Sequence, residues 1–398
     1  MTENRRKILW HSNAPWSPTG YGSQTALFGP PLAKHHDLAI SSFYGLEGAR
    51  IKWDGIPVFP GLGGEFGNDY IEAHASSHFG GDLRGGLLMT LLDVWVLQPE
   101  RVAGMNAACW TPVDHTPATP MQENFFDKSG AVPIAMSRFG EQQLARFEPL
   151  YVPHAVDTSV YKPRDRAKIR KQVRLSEDAF VVGMVAANKG RPSRKGFQQA
   201  FQAFRIFGER HDDAFLYLHT TMDPKYSEGE HLGGLIDSLG IPMSVVRMAD
   251  QYTMMFDPYP QEAMSWIYSA LDVLLNPAMG EGFGLPILEA QACGTPAIVT
   301  DFSAMREVCG AGWHVDYRPF WTYQRSWQAE PDVEDIVDAL EQAYSKPRAA
   351  RKALSKQARE HAMKYDIKRV MSEHMLPAIE AAAARYEDRK PVELAVAA

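Results

Sequence analysis

A chain of 398 residues is long for a single hydrophobic core, so two domains are expected. Its formal net charge of −7 argues against broad attraction to nucleic acid or anionic lipid, although a local basic groove remains open. The three cysteines, Cys109, Cys293 and Cys309, show neither metal-ligand spacing nor a disulfide framework, which points to a reducing, cytoplasmic compartment.

Met1–Lys7 is charged and runs into a strand, and no apolar stretch reaches signal-peptide or membrane-spanning length, so a soluble protein without membrane insertion is expected. Lys7–His11 reads as the first strand, followed by P-W-S-P-T-G-Y-G and a helix near Gln24. Gly20 and Gly22 at this strand-to-helix turn suit either close approach of a phosphate or sugar, or a simple tight turn. Ala39–Phe43 and Pro57–Phe59 read as strands, and Gly61–Gly67 and Gly80–Gly86 as mobile surface loops. Leu87–Leu92 and Val94–Leu97 are apolar around Asp93, and strand Ala107–Thr111 leads into T-P-V-D-H-T-P, which puts Asp114 and His115 just past a strand end. Strands follow at Val132–Met136, before S-R-F-G and a helix, and at Leu150–Pro153. Asp157 reads as a turn residue, and the charge run Arg164–Arg174 as a solvated helix face between domains.

The second half opens with strand Phe180–Ala186 and the loop N-K-G-R-P-S-R-K-G-F, whose Lys189, Arg191 and Lys195 form a candidate diphosphate clamp. Phe197, Phe201 and Phe204 recur at helical spacing and read as core contacts. Strands Ala214–His219 and Val245–Met248 flank helix Leu232–Leu239; loop Ala249–Tyr259, with Tyr252, precedes helix Gln261–Ala270. Asp272–Asn276 is an apolar run without alternation, as in a strand buried on both faces, and Pro277 stops it. Beyond a glycine loop, Pro286 suits the first turn of a helix and Gly294 its end, before strand Thr295–Thr300. Ligands of such β-α-β units bind beyond the carboxyl ends of the strands. Gly280, Gly282 and Gly284 let backbone approach a ligand, and the amides of Phe283 and Gly284 with the helix opening at Leu285 favour a diphosphate. Glu281 and Glu289 would accept hydrogen bonds from hydroxyls, so a phosphorylated polyol fits better than bare polyphosphate.

Glu281 and Glu289, with G-F-G-L-P between them and A-C-G-T-P beyond, resemble the signature of family 4 retaining glycosyltransferases of the GT-B fold. That resemblance implies two Rossmann-like α/β domains whose parallel sheets face each other across a cleft. Residues 1–157 would form the acceptor domain, completed by a crossover helix at about 367–390, and residues 158–366 the donor domain, leaving 387–398 as a frayed tail. The segment H-A-V-D-T-S-V-Y-K-P resembles the family's interdomain connector. The resemblance further implies that Glu281 contacts the transferred sugar and Glu289 the ribose, that the Gly20 and Gly22 loop faces the donor, and that Asp114 and His115 lie near the sugar. It places the nucleotide base beside Ala249–Tyr259, where Tyr252 would stack, and sets Ser303–Val308 as a short helix facing the donor. Family members carry an arginine and a lysine six positions apart in the phosphate loop; Lys195 matches the lysine, and its partner is either Lys189 or Arg191.

The expected reaction moves a hexose from a nucleotide diphosphate sugar, UDP-hexose before GDP-hexose, to an acceptor hydroxyl, with retention by same-face attack. No cofactor beyond the donor substrate is expected, and no metal, since no D-x-D stands at a strand end. The acceptor would be a saccharide, lipid-linked sugar or small molecule. W-H-S-N-A-P-W-S-P-T-G-Y-G and T-P-V-D-H-T-P resemble a phage and bacterial subgroup, some of it in DNA-base modification, so a hydroxymethylated DNA base is an alternative. A nucleotide-sugar epimerase and a non-catalytic binding module are the other readings, and oligomeric state has no signature. Trp313–Val315 reads as a last strand, Trp321–Trp327 as an aromatic loop, and Asp332–Tyr344, Ala349–Met363 and Tyr365–Tyr386 as helices.

Overall fold

The computed structural model describes residues 5–172 and 175–387; the expected tail beyond Glu387 and the last two positions of the charge run lie outside them. Strands with apolar residues at every position need cover on both faces, and a parallel sheet between helix layers supplies it. The first sheet takes β1 (Lys7–Asn13), β2 (Asp37–Tyr44), β3 (Ile51–Trp53), β4 (Ile56–Phe59), β5 (Leu87–Leu91), β6 (Ala107–Thr111), β7 (Val132–Ala135) and β8 (Leu150–Tyr151) in the order β3-β4-β2-β1-β5-β6-β7-β8. Only β3, which the sequence reading passed over, runs antiparallel to its neighbour. The second sheet is parallel throughout and takes β9 (Phe180–Val185), β10 (Ala214–His219), β11 (Val246–Met248), β12 (Val273–Asn276), β13 (Ala297–Thr300) and β14 (Gly312–Val315) in the order β11-β10-β9-β12-β13-β14. These are the two α/β domains that the motifs imply. In each, the strand order reverses beside the first strand of the sheet, opening a crevice at the carboxyl ends.

Phe197, Phe201 and Phe204 are buried on the helix Phe197–Gly208, in the core of the second domain. Asp157 accepts hydrogen bonds from the backbone and hydroxyl of Ser159 (2.8 and 2.6 Å), as a turn residue does. The connector pairs with the returning chain through Val156 N to Tyr365 O (3.0 Å) and Ile367 N to Val156 O (3.1 Å). From there Ile367–Val370, the π-helical Met371–Met375 and Leu376–Glu387 run as one crossover back to the first domain, where Tyr386 donates to Ala107 O (2.8 Å).

Three expectations need correction. Residues Trp321–Trp327 are not a free loop but join β15 (Tyr317–Trp321) to β16 (Trp327–Pro331) in a hairpin. Its β16 strand pairs with the first domain, where Thr116 N and Trp327 O lie 3.0 Å apart and Trp327 N and Thr116 O 3.2 Å. The Gly61–Gly67 segment is tied down: Gly67 is buried, and His11 Nε2 donates to Phe66 O (2.9 Å). The described part of the charge run is an anchor rather than a solvated face, because Arg170 is fully buried. Its guanidinium donates to Ala270 O, Glu177 O, Ala179 O and Asp272 Oδ2, and Arg166 pairs with the same carboxylate. Periodicity hides this, because a buried arginine and an exposed one occupy the same kind of position in a charged string.

Removing one partner of a buried ion pair costs about 3–5 kcal/mol. Arg170→Ala is therefore expected to lower the urea midpoint by that equivalent, whereas Lys356→Ala, in an exposed pair with Glu360, should change stability by less than about 0.5 kcal/mol.

Candidate active site

The loop after β12 reaches the other domain because it lacks side chains. A Cβ at Gly282 would stand 2.2 Å from Pro112 Cβ, and one at Gly280 would stand 2.4 Å from Asp114 O. These two glycines thus admit the first-domain loop after β6, where the motif reading had them admit a ligand. Gly284 has φ +97°, a left-handed conformation that favours glycine, and caps the helix Leu285–Ala292 with Pro286 in its first turn. Gly20 faces that helix opening, since its Cβ would lie 3.4 Å from Leu285 Cδ1. Gly22 serves the turn itself: a Cβ there would come within 2.3 Å of Ser17 O, and Thr19 caps the helix by accepting from Gly22 N (3.0 Å).

Around this contact the charged groups converge. Lys195 pairs with Glu281, which is buried and whose backbone N–H donates to Ser303 Oγ (3.0 Å). Arg194 Nη1 lies 3.6 Å from Glu281 Oε2 and 3.5 Å from Asp114 Oδ2, joining the domains. His115 Nδ1 donates to Asp114 Oδ1 (2.7 Å). Burial pushes the Asp114 carboxyl up, but the His115 hydrogen bond and the charges of Arg194 and Lys195 outweigh it and hold it at about 2. Burial, with the neighbouring Arg194 charge, lowers Lys195. Asp93, past the end of β5, is raised by burial and by Asp114; it accepts from Tyr21 Oη (2.9 Å).

Glu289 engages a separate set. Tyr268 Oη donates to it (2.7 Å), and burial raises its carboxyl to about 7 against the lowering effect of the Tyr268 and Tyr161 hydroxyls. Phe283 is buried with its ring between His154 and Tyr365. Lys189 is exposed, and Arg191 Nε donates to Gly229 O (2.7 Å). The cation that accompanies Lys195 at Glu281 is Arg194, its neighbour in sequence, which the family's six-residue spacing does not single out. Asp93, a lone charge in an apolar run, and Tyr21, between two glycines, were the other signals left unused. Ala249–Tyr259 is not all loop: Gln251–Phe256 is helical, and Tyr252 stands exposed on it against Phe256.

Two domains of this topology, meeting at the carboxyl edges of their sheets, define the GT-B fold. Residues 248–361 match the family described as Glycosyl transferases group 1. The chain is similar over its whole length to sucrose-phosphate synthase from Thermosynechococcus elongatus (TM-score 0.72, 17% identity, covering 96% of this chain and 99% of that one). It is similar also to Anabaena HepE solved with UDP and glucose (TM-score 0.67, 14% identity, covering 95% and 100%). In sequence it is 30% identical over 152 residues to D-inositol 3-phosphate glycosyltransferase of Acidothermus cellulolyticus, covering 37% of this chain and 32% of that protein. The corresponding protein of Corynebacterium jeikeium is 33% identical over 156 residues, covering 37% and 34%. The chain thus spans about a third of the length of these curated relatives.

Glu289 should titrate near 7 in a carbon-detected NMR titration of the labelled carboxylate, and Tyr268→Phe should move it higher, since the hydroxyl favours the ionised form. Because this value lies above the 4.5 of an ordinary glutamate, protonated Glu289 favours the fold. Its stabilisation is complete below about 4.5 and lost as pH rises through about 7, a fall that Glu289→Gln should abolish in denaturation midpoints taken across that range.

Proposed function

We propose that the chain is a retaining glycosyltransferase that moves a hexose from a nucleotide diphosphate sugar to an acceptor hydroxyl without a metal ion. The observation that carries this reading is the meeting of Lys195 and Arg194 with Glu281 at the opening of the helix Leu285–Ala292, across from Asp114 and His115 of the other domain. Two cations and a helix N-terminus are what a departing diphosphate needs, and stabilising charge that develops on the leaving group is the largest catalytic term in such sites. The matched glycosyl transferases group 1 segment supports the same class.

In this mechanism the diphosphate takes over Lys195 and Arg194, freeing Glu281 to accept a hydrogen bond from the sugar. The bond from C1 to the diphosphate oxygen breaks, and the acceptor oxygen bonds C1 from the same face. The acceptor proton passes to the departing phosphate, so no carboxylate nucleophile is required. Asp114, ionised far below neutrality, orients sugar hydroxyls together with His115. Glu289 holds the ribose, exchanging tyrosine hydroxyls for ribose hydroxyls. UDP-hexose is the favoured donor, in keeping with the UDP and glucose named for the Anabaena neighbour.

Nucleotide release measured with and without acceptor separates transfer from epimerisation and from mere binding. Arg194→Ala and Lys195→Ala are each expected to lower kcat by about 10²–10³-fold. Activity should persist in excess EDTA, and the product anomer should match the donor by NMR. A nucleotide at a hundred times its Kd adds about 2.7 kcal/mol of stability, so an unmoved melting temperature with UDP, GDP and ADP in folded protein would remove the reading.

A further inference from the structure

The carboxyl edge of the first sheet carries a second feature that the transfer chemistry does not use. Four large rings stand exposed there: Trp16 (41%) after β1, Tyr44 (54%) at the end of β2, Phe66 (37%) after β4 and Trp95 (36%) after β5. The loops bearing them are joined into one rim. Trp16 Nε1 donates to Gly45 O (2.6 Å), Gly61 N to Leu46 O (2.9 Å), and Asn68 Nδ2 to Val96 O (3.0 Å). The rim adjoins the charged cluster: Val94, next to Trp95, donates its N–H to Thr111 Oγ1 (3.4 Å) at the start of the Asp114 loop, and Asp93, which accepts from Tyr21 (2.9 Å), feels the charge of Asp114.

The charge of this rim is one-sided. The loops that follow β1, β2, β4, β5 and β6 carry the carboxylates Glu47, Glu65, Asp69, Asp93 and Asp114, contain no lysine, and have Arg50 as their one arginine. Arg50 lies over the Phe59 ring (5.6 Å). Arg138, beyond β7, covers the Tyr151 ring (3.6 Å) and pairs with Glu141 (2.7 Å). Arg194, 3.5 Å from Asp114, is the cation that reaches this edge from the second domain, and in the transfer reading the donor diphosphate engages it. A second phosphate brought here would face the carboxylates of the rim, a repulsion that selects against phosphorylated acceptors and against a nucleic-acid backbone. Rings beside carboxylates suit a ligand with apolar C–H faces and a fringe of hydroxyl donors.

We infer that the acceptor is an uncharged saccharide, its ring faces stacked on the aromatic rim of the first domain and its hydroxyls bonded to Asp93. The inference rests on the transferase reading and narrows it: a sugar phosphate, an inositol phosphate and hydroxymethylated DNA are excluded as acceptors.

The test uses the full chain with its donor. Maltose, cellobiose, lactose and methyl mannoside are compared with glucose 6-phosphate, inositol 1-phosphate and a hydroxymethylcytosine duplex, by saturation-transfer NMR and by stimulated nucleotide release. At least one neutral sugar should bind and raise release about tenfold or more, and the phosphorylated probes should not. Trp16→Ala and Tyr44→Ala, checked for folding by circular dichroism, should each raise acceptor KM about tenfold, with Trp16→Phe largely restoring it. Turnover of a phosphorylated probe or DNA at equal or better kcat/KM, or no neutral saccharide bound at millimolar concentration, overturns the inference while nucleotide binding leaves the transferase standing. If no nucleotide binds, both fall.

Discussion

Glu281, Lys195, Arg194 and Asp114 form a charged cluster at the contact between the domains, and each is tolerable there because the others are present. An isolated buried charge is costly, whereas partners of opposite sign offset that cost, as the His115 hydrogen bond and the Arg194 and Lys195 charges do for Asp114. That requirement governs the surrounding backbone. The carboxylates and cations meet only if two loops approach to backbone distance, which Gly280 and Gly282 permit. The hairpin β15–β16 then adds a strand pairing at Thr116, one residue beyond His115. In the proposed reaction, the cluster that joins the domains is also the one for which a departing diphosphate would compete.

Behind the charges, aromatic packing sets the position of the glycine loop. Trp110 of the first domain meets His154 of the connector (4.6 Å), which meets Phe283 (5.3 Å), which meets Tyr365 of the returning chain (5.7 Å). Burial lowers His154 to about 3, so the ring is neutral at ordinary pH and packs as an apolar group. Phe283 therefore acts through its ring, holding Glu281 and Gly284 in register with the helix they precede.

Most strands were legible because their signal is local. Ala214–His219 matches its sequence reading to the residue, and β12 with its following helix to within two residues, since apolar runs, Pro286 and the flanking glycines act over a few positions. The glutamate spacing and Lys195 are equally local motifs; the structure brings Lys195 to Glu281 and sets Glu289 against Tyr268. The hairpin escaped notice because its Trp and Tyr residues carry strand propensity without alternation of burial, and its partner, Thr116, belongs to the other domain. Arg170 was misjudged because a cation buried by four acceptors looks in sequence like one that water solvates.

The sequence by itself determined the fold class and the chemical inventory: parallel α/β strands, a helix opened by glycine and proline, and two glutamates eight positions apart. Which groups meet was decided by the tertiary structure alone. Lys195 and Glu281 stand 86 residues apart, and Arg194 reaches Asp114 from the opposite domain. Local propensity reaches only a few residues along the chain. The arrangement that sets Arg194, rather than Lys189 or Arg191, beside Glu281, and Asp93 near Asp114, exists only once the two sheets present their carboxyl edges to each other.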